Sequence, residues 1–395
     1  MIHLKGSPFQ NTAAFLAAAT EIAEYYGFEY FQDIARQKNA IPSLPPGAKA
    51  DTEILFARRD ERTMLSAARR LAQSSGGGSA ILAWRTTALP SGAGMAFELH
   101  AAGIPTSIAE AILLAAADAI AKEAGVQNRS LVLNNLGGAE SSARFVRDVG
   151  GYLRKHIDSI ATSLRPRTVS DPLGTLIQLI ERGHPGVARA PQSMDYLTED
   201  ERRRFWDFLE YVEMLGLPYE LSGQILGSRD CWSHALFEIM GEDQGGGNRR
   251  SIASGGRYDP LMSRMARRPL SGAMVAIHVE TRGSSTLRRK HRGVRSVYFA
   301  HLGPEARRRA LPLLESLRQS GIPVYHNLWH ERIGEQMTAA ANLATPYVLV
   351  IGHKEAMENT VLVREVATNS QEAVPQVDLA GYLRRKHVGT PLKTV

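Results

Sequence analysis

Residues 251–262, SIASGGRYDPLM, place a cation, a phenol and a carboxylate directly behind two glycines. Gly255 and Gly256 admit backbone conformations closed to other residues, or let a ligand come against the main chain. Arg257 offers a planar fork matched to a carboxylate or a phosphate. The same residues also fit a turn followed by a surface pair, and a short glycine-rich motif does not decide between the two. Elsewhere the chemistry is sparse. Cys231 is the single cysteine, which excludes an intrachain disulfide and a thiolate zinc cluster. With only His234 nearby as a base, it reads as a packing residue and not a nucleophile. His326 and His330 are four apart but straddle a strand end, so no metal is expected.

These residues need elements to hold them. Apolar spacing predicts a helix over 12–26, with Phe15, Leu16, Ile22 and Tyr26 on one face and Gly27 ending it. FEYFQDI (28–34) reads as a strand, and 48–73 as a strand running into a helix. Segments 79–89 and 95–104 predict an antiparallel pair joined by a loop. The helix over 107–125 is apolar nearly all round, which predicts deep burial. A strand at 130–138 precedes a mostly helical, charged stretch at about 141–215. Further strands are expected at 218–226, 234–241, 249–259 and 272–280. Residues 281–295, TRGSSTLRRKHRGVR, are polar, basic and without period, as a linker would be. Strand and helix then alternate from 296 to 352, ending in a hairpin at 359–374 and a helix near 376–386, which implies a parallel sheet with covering helices.

The composition permits this. The chain has 395 residues, 44% hydrophobic and 22% charged, enough for two or three domains. No run reaches the roughly 18 apolar residues of a membrane span. Glu21 and Glu24 interrupt the apolar N-terminal stretch, which therefore reads as an amphipathic helix and not a signal peptide. A cytoplasmic protein is the simplest expectation. The net charge of +7 suits a polyanionic partner such as RNA without requiring one.

The order of these segments resembles histidyl-tRNA synthetase, a class II aminoacyl-tRNA synthetase. SGGRYDPLM is similar to that family's Gly-Gly-Arg-Tyr-Asp signature, CWSHALFEI to the end of its other histidine-specific motif, and SLVLNNLGG to its Asn-Ser-Leu-Gly stretch. The region from SVYFAHL through PYVLVIG resembles the anticodon-binding domain shared by the histidyl, glycyl, threonyl and prolyl enzymes. The resemblance implies an α+β fold: a class II synthetase-like antiparallel sheet with helices over 1–282, a helical insertion at about 141–215, a basic linker at 283–294, and a small α/β anticodon-binding-like domain over 295–388. It also implies a homodimer formed through the first motif, although YGFEYFQDI lacks the usual proline. In such enzymes the Gly-Gly-Arg-Tyr strand borders the histidine pocket, which would explain the glycines by close approach to the ligand.

Carried over residue by residue, the resemblance puts Glu61 and Thr63 of RDERT where the α-ammonium partner belongs, although both also fit a helix-start cap. Arg85 falls at the motif 2 arginine that holds the α-phosphate. Glu98 and His100 fit the following strand, and Arg257 and Tyr258 become pocket residues. Other positions depart. Ala101 stands for a glutamine and Pro105 for a glutamate. Gly227 replaces an arginine that acts on carboxylate and phosphate; Arg229 is two residues on and would compensate only through a strand slip that keeps its face. Cys231 and Trp232 replace two tyrosines that frame the imidazole. His278 replaces a motif 3 glycine, and Thr281 the ATP-clamping arginine, with Arg282 next to it on the other face. Activation of an amino acid is mainly an electrostatic problem, so these losses tell against it. Arg288, Arg289, Lys290 and Arg292 of the linker are the RNA contacts the charge pattern suggests, together with one or two at most of Arg307, Arg308 and Arg309 on the helix that follows, since helical neighbours lie about 100° apart.

Three functions fit. The first is a synthetase paralogue, degenerate in aminoacylation, that binds tRNA, another RNA or a protein. The second is a divergent active histidine–tRNA ligase, which alone would use ATP and magnesium. The third is a histidine-sensing regulatory subunit of ATP phosphoribosyltransferase.

Overall fold

The computed structural model describes residues 1–5, 7–37, 61–75, 79–89, 92, 94–242, 249–283, 296–386 and 388. In chain order the first part holds α1 (Thr12–Tyr25), β1 (Glu29–Tyr30), α2 (Phe31–Gln37), α3 (Glu61–Ser74), β2 (Ile81–Ala88), β3 (Gly94–Ala102), α4 (Ile108–Glu123) and β4 (Gln127–Asn135). There follow α5 (Ala139–Lys155), α6 (Arg167–Ser170), α7 (Pro172–Glu181), α8 (Glu199–Met214), β5 (Tyr219–Leu221), β6 (Ser233–Glu242), β7 (Arg250–Arg257), α9 (Asp259–Ala266) and β8 (Gly272–Glu280). The second part holds β9 (Val297–His301), α10 (Pro304–Gln319), β10 (Val324–His326), α11 (Ile333–Asn342), β11 (Tyr347–Ile351), α12 (His353–Glu358), β12 (Thr360–Glu365), β13 (Ser370–Pro375) and α13 (Leu379–Arg385).

Two sheets result. Among the described residues the first has eight strands in the order β1-β2-β3-β8-β7-β6-β4-β5, antiparallel except for the parallel outer pairs β1/β2 and β4/β5. The second runs β10-β9-β11-β12-β13, parallel across β10, β9 and β11, then antiparallel. This is the α+β sheet with a following α/β unit that the periodicity implied.

The large sheet is buried on both faces, and strand alternation sorts its residues between them. Trp84, Phe97, Leu99, Phe237, Ala253, Val275 and Ile277 face α4 and α1. Ala83, Ala102, Leu236, Tyr258 and Met274 face the core of α3, α5 and α9. The α4 sequence, apolar nearly all round, is buried along most of its length between the sheet, α1 and α8.

Two expectations change. FEYFQDI gives only the two-residue β1, followed by α2; it is helical where Phe31 and Ile34, three apart, turn to the α3 side. The 218–226 segment is a strand only over β5, and then an irregular run to residue 232. The strand expected before α3 and the basic linker residues Arg288, Arg289, Lys290 and Arg292 lie outside the described residues.

The glycine pair has a packing cause. A Cβ on Gly255 would lie 2.1 Å from the Met274 carbonyl oxygen and 2.8 Å from Val275 Cα. One on Gly256, at φ +155°, would lie 2.6 Å from the Ala235 carbonyl oxygen. The glycines therefore allow a close approach between β7 and its neighbours β6 and β8. Gly255→Ala is expected to cost about 1–3 kcal/mol by overpacking, read as a lower urea midpoint; an unchanged midpoint would show that the strands part freely.

Candidate active site

Arg85, Glu98 and His100 converge because β2 and β3 pair with Arg85 opposite Glu98, and because residues two apart share a face. Arg85 donates Nε to Glu98 at 2.6 Å, Nη1 to Ser66 Oγ at 2.9 Å and Nη2 to the Thr63 carbonyl at 2.9 Å. Its guanidinium also sits 5.5 Å from the Phe31 ring centroid. Thr87 donates its hydroxyl to the other Glu98 oxygen at 2.6 Å. An ionised carboxylate only accepts, so His100 donates Nε2 to Glu98 at 3.0 Å and its Nδ1 accepts from the Tyr258 hydroxyl at 3.2 Å.

Burial alone would raise the Glu98 pKa, but the His100 hydrogen bond, the charge of Arg85 and the Thr87 hydroxyl together hold it at about 2. Burial lowers the His100 pKa, with Glu98 opposing. Burial likewise pushes the Tyr258 phenol far up, so it stays a neutral donor.

Glu61 is also enclosed. It starts α3, fully buried, and accepts from the Ser228 backbone N–H at 2.7 Å and from Trp232 Nε1 at 3.1 Å. The indole reaches it by lying over Gly227, where a Cβ would meet Trp232 Cδ1 at 2.4 Å. An arginine at 227 and this tryptophan rotamer cannot coexist. Thr63 lines the remaining space with Met64, Thr87, Glu98, Trp232, Ser254, Ala276 and His278, and that space is about 30 Å³. This holds roughly one water, whereas small-molecule pockets measure about 300–1,000 Å³.

Other expected residues lie elsewhere. Arg257 is one residue from Tyr258, so it points to the opposite face. There it is fully buried and paired bidentately with Glu110 of α4, with further bonds to the Ile104 and Thr106 carbonyls. Asp259 accepts from the Gly272 N–H at 2.8 Å and from Arg257 at 3.4 Å, tying the end of β7 to the start of β8. The signature Arg-Tyr-Asp thus splits between two jobs: Arg257 and Asp259 fasten the sheet, and Tyr258 alone meets the site.

Arg229 is exposed at a separate surface hollow with Asp171, Ser228 and Asp230. The strand slip that would return it to the pocket does not occur, because residues 222–232 leave the sheet. Ala101 packs in the α4-side core, and Pro105 lies beside Arg204 and His234, so neither departure bears on the cavity. Thr281 and Arg282 follow the end of β8, where the Arg282 backbone bonds Thr12. Cys231 is buried in the α3-side core. The coupling of Gly227, Trp232 and Glu61 was not legible beforehand; a small residue five before a tryptophan was its only trace. Among the described residues no group of three or more His, Cys, Asp or Glu could hold a metal, and no helix is long and apolar enough to cross a membrane.

The mixed sheet, the motif 2 hairpin and the second α/β unit define a class II synthetase-like architecture. The family described as "Anticodon binding domain" matches residues 296–386. Histidine–tRNA ligase 1 of Shouchella clausii (strain KSM-K16) is 29% identical over 297 residues, 73% of this chain and 69% of that protein. Histidine–tRNA ligase of Geobacillus thermodenitrificans (strain NG80-2) is 27% identical over 293 residues, covering 73% and 68%. The apo histidyl-tRNA synthetase of S. aureus aligns over 92% of this chain and 93% of its own, at 19% identity and a TM-score of 0.46. The chain is a histidyl-tRNA-synthetase-like protein.

The Glu98 pKa gives a test. It is depressed from 4.5 to about 2 in the fold, so its contribution to stability is complete above about pH 4.5 and is lost as pH falls toward 2. Glu98→Gln should cost about 3–5 kcal/mol at neutral pH, because it leaves Arg85 without its buried counter-charge. It should also flatten the fall in urea-unfolding stability between pH 4.5 and 2. A variant with the parent's acid profile would remove Glu98 from that role.

Proposed function

We propose that the chain is a histidyl-tRNA-synthetase-related paralogue that has lost histidine activation and binds tRNA or another RNA through its anticodon-binding domain. The observation that carries this reading is the cavity: about 30 Å³ beside a Glu98 already paired with Arg85 and hydrogen-bonded by His100. The α-phosphate ligand is occupied within the protein, the ammonium partner Glu61 is covered by an indole, and no arginine stands at 227. Such losses cost roughly 2–5 kcal/mol each in binding or transition-state energy, even if not additive. The histidine-sensing reading would need a space the size of histidine at the same place.

Pyrophosphate exchange with histidine and ATP is expected to be absent; turnover in the ~1–10³ s⁻¹ range usual for enzymes would instead establish the ligase. The same preparation should retain tRNA in filter binding. The logarithm of affinity should fall with the logarithm of salt by roughly 0.7–0.9 per phosphate contact. Arg288, Arg289, Lys290 and Arg292 are the proposed contacts. Arg307, Arg308 and Arg309 are not, because each is engaged within the protein: with Tyr211 and Glu331, with Asp207 and Glu210, and with Glu305 and Asn359. Failure to bind any tRNA would turn the domain into a protein-interaction module.

A homodimer belongs to the same reading, motivated by the family resemblance. Light scattering is expected to give twice the 43.2 kDa chain mass at micromolar concentration, and a monomer would reject the dimer.

A further inference from the structure

We infer that the anticodon-binding domain and the synthetase-like sheet form one rigid body, fastened along helix α10. Domains joined by a linker ordinarily move relative to one another unless their interface is large and hydrophobic. Here a single apolar cluster runs from Phe15 and Ile22 of α1 and the length of α4, through Ala310, Leu311 and Leu314 of α10, to Val297 and Phe299 of β9 and Leu349 of β11.

Polar pins fix the two ends of α10 separately. At its N-terminal end Arg307 donates Nε to the Tyr211 hydroxyl of α8 at 2.8 Å, and Arg308 pairs with Asp207 at 3.1 Å and with Glu210. At its C-terminal end the Leu314 carbonyl accepts from Tyr25 at 3.0 Å, Glu315 accepts from the buried Tyr26 hydroxyl at 2.9 Å, and Arg318 reaches Glu123 of α4 at 3.2 Å. Burial pushes the Tyr211 phenol up to about 12, so it meets Arg307 as a neutral hydroxyl near neutral pH. Arg308 and Arg318 are ten residues apart, about 15 Å along a helix at 1.5 Å per residue. One pin would leave a pivot. Two pins at that separation leave only rotation about the line joining them, and the apolar packing along α10 opposes that.

The inference does not depend on what the protein binds. Spin labels at Lys122→Cys and Val377→Cys, both exposed positions on opposite sides of the joint, would report it by pulsed electron resonance; Cys231 is buried and stays unlabelled. One narrow distance distribution is expected, and a broad or two-peaked one would overturn the rigid body. Adding Arg307→Gln and Arg308→Gln at one end and Tyr25→Phe, Tyr26→Phe and Arg318→Gln at the other removes the side-chain bonds of both pins. The distribution should then widen with the circular dichroism spectrum unchanged, whereas an unaltered width would overturn the pins as its cause. Should that variant unfold, the unpinned arm is replaced by Arg307→Gln with Arg308→Gln alone, which frees one end and is read in the same way.

Discussion

A sheet covered on both faces gives each strand residue one of two fixed addresses, and the rest of this structure follows from that constraint. In β3, Phe97, Leu99 and Ala101 go to the α4 side, which leaves Glu98, His100 and Ala102 for the other. In β7 the same rule separates Arg257 from Tyr258. A one-residue slip of β3 would drive Glu98 into the apolar α4 core and bring Phe97 to the polar network. The buried pair of Arg257 and Glu110 reinforces the register, because either charge alone in that place would be strongly destabilising.

On the site face, one carboxylate organises the chemistry. Glu98 takes bonds from Arg85, Thr87 and His100, and His100 in turn takes the Tyr258 hydroxyl. Arg85 gives three of its five N–H donors to Glu98, Ser66 and Thr63, so a phosphate there would share its charge with an almost fully buried carboxylate. Charge-assisted bonds are roughly twice as strong as neutral ones, and Glu98 would be left beside a second anion. The network therefore holds the Arg85 charge against Glu98 within the fold.

Much of this fold was legible from periodicity. The α4 stripe, the β2/β3 hairpin and the alternating run from β9 to α13 have long, regular patterns that survive tertiary packing. Short segments did not read as well. FEYFQDI has strand-like composition, yet its apolar residues at 31 and 34 also fit a helical face, and burial against α3 chose the helix. The residues of the site were legible as a set, through Arg85, Glu98, His100 and Glu61, while their state was not. Whether a guanidinium is free or already paired depends on residues brought from far along the chain, as Ser66 and Thr63 are to Arg85. The three consecutive arginines of α10 show the same limit: their number suggested a polyanion, and their partners are Tyr211, Asp207 and Glu305.

The Gly-Gly-Arg-Tyr-Asp stretch explains how a family signature and a closed cavity can occur in one chain. Its glycines serve strand approach, Arg257 serves the α4 side, and Asp259 serves the β7/β8 junction. None of these jobs involves a small-molecule ligand. They are demands of the sheet itself, and hold whether or not histidine is activated. Gly227, Trp232 and Glu61 are arranged independently of them, on a loop that has left the sheet and on the first turn of α3. A change there fills the cavity without disturbing the strands. Recognition of the family rests on the first group and recognition of its activity on the second, which is why the resemblance fixes the architecture and leaves the chemistry to the cavity.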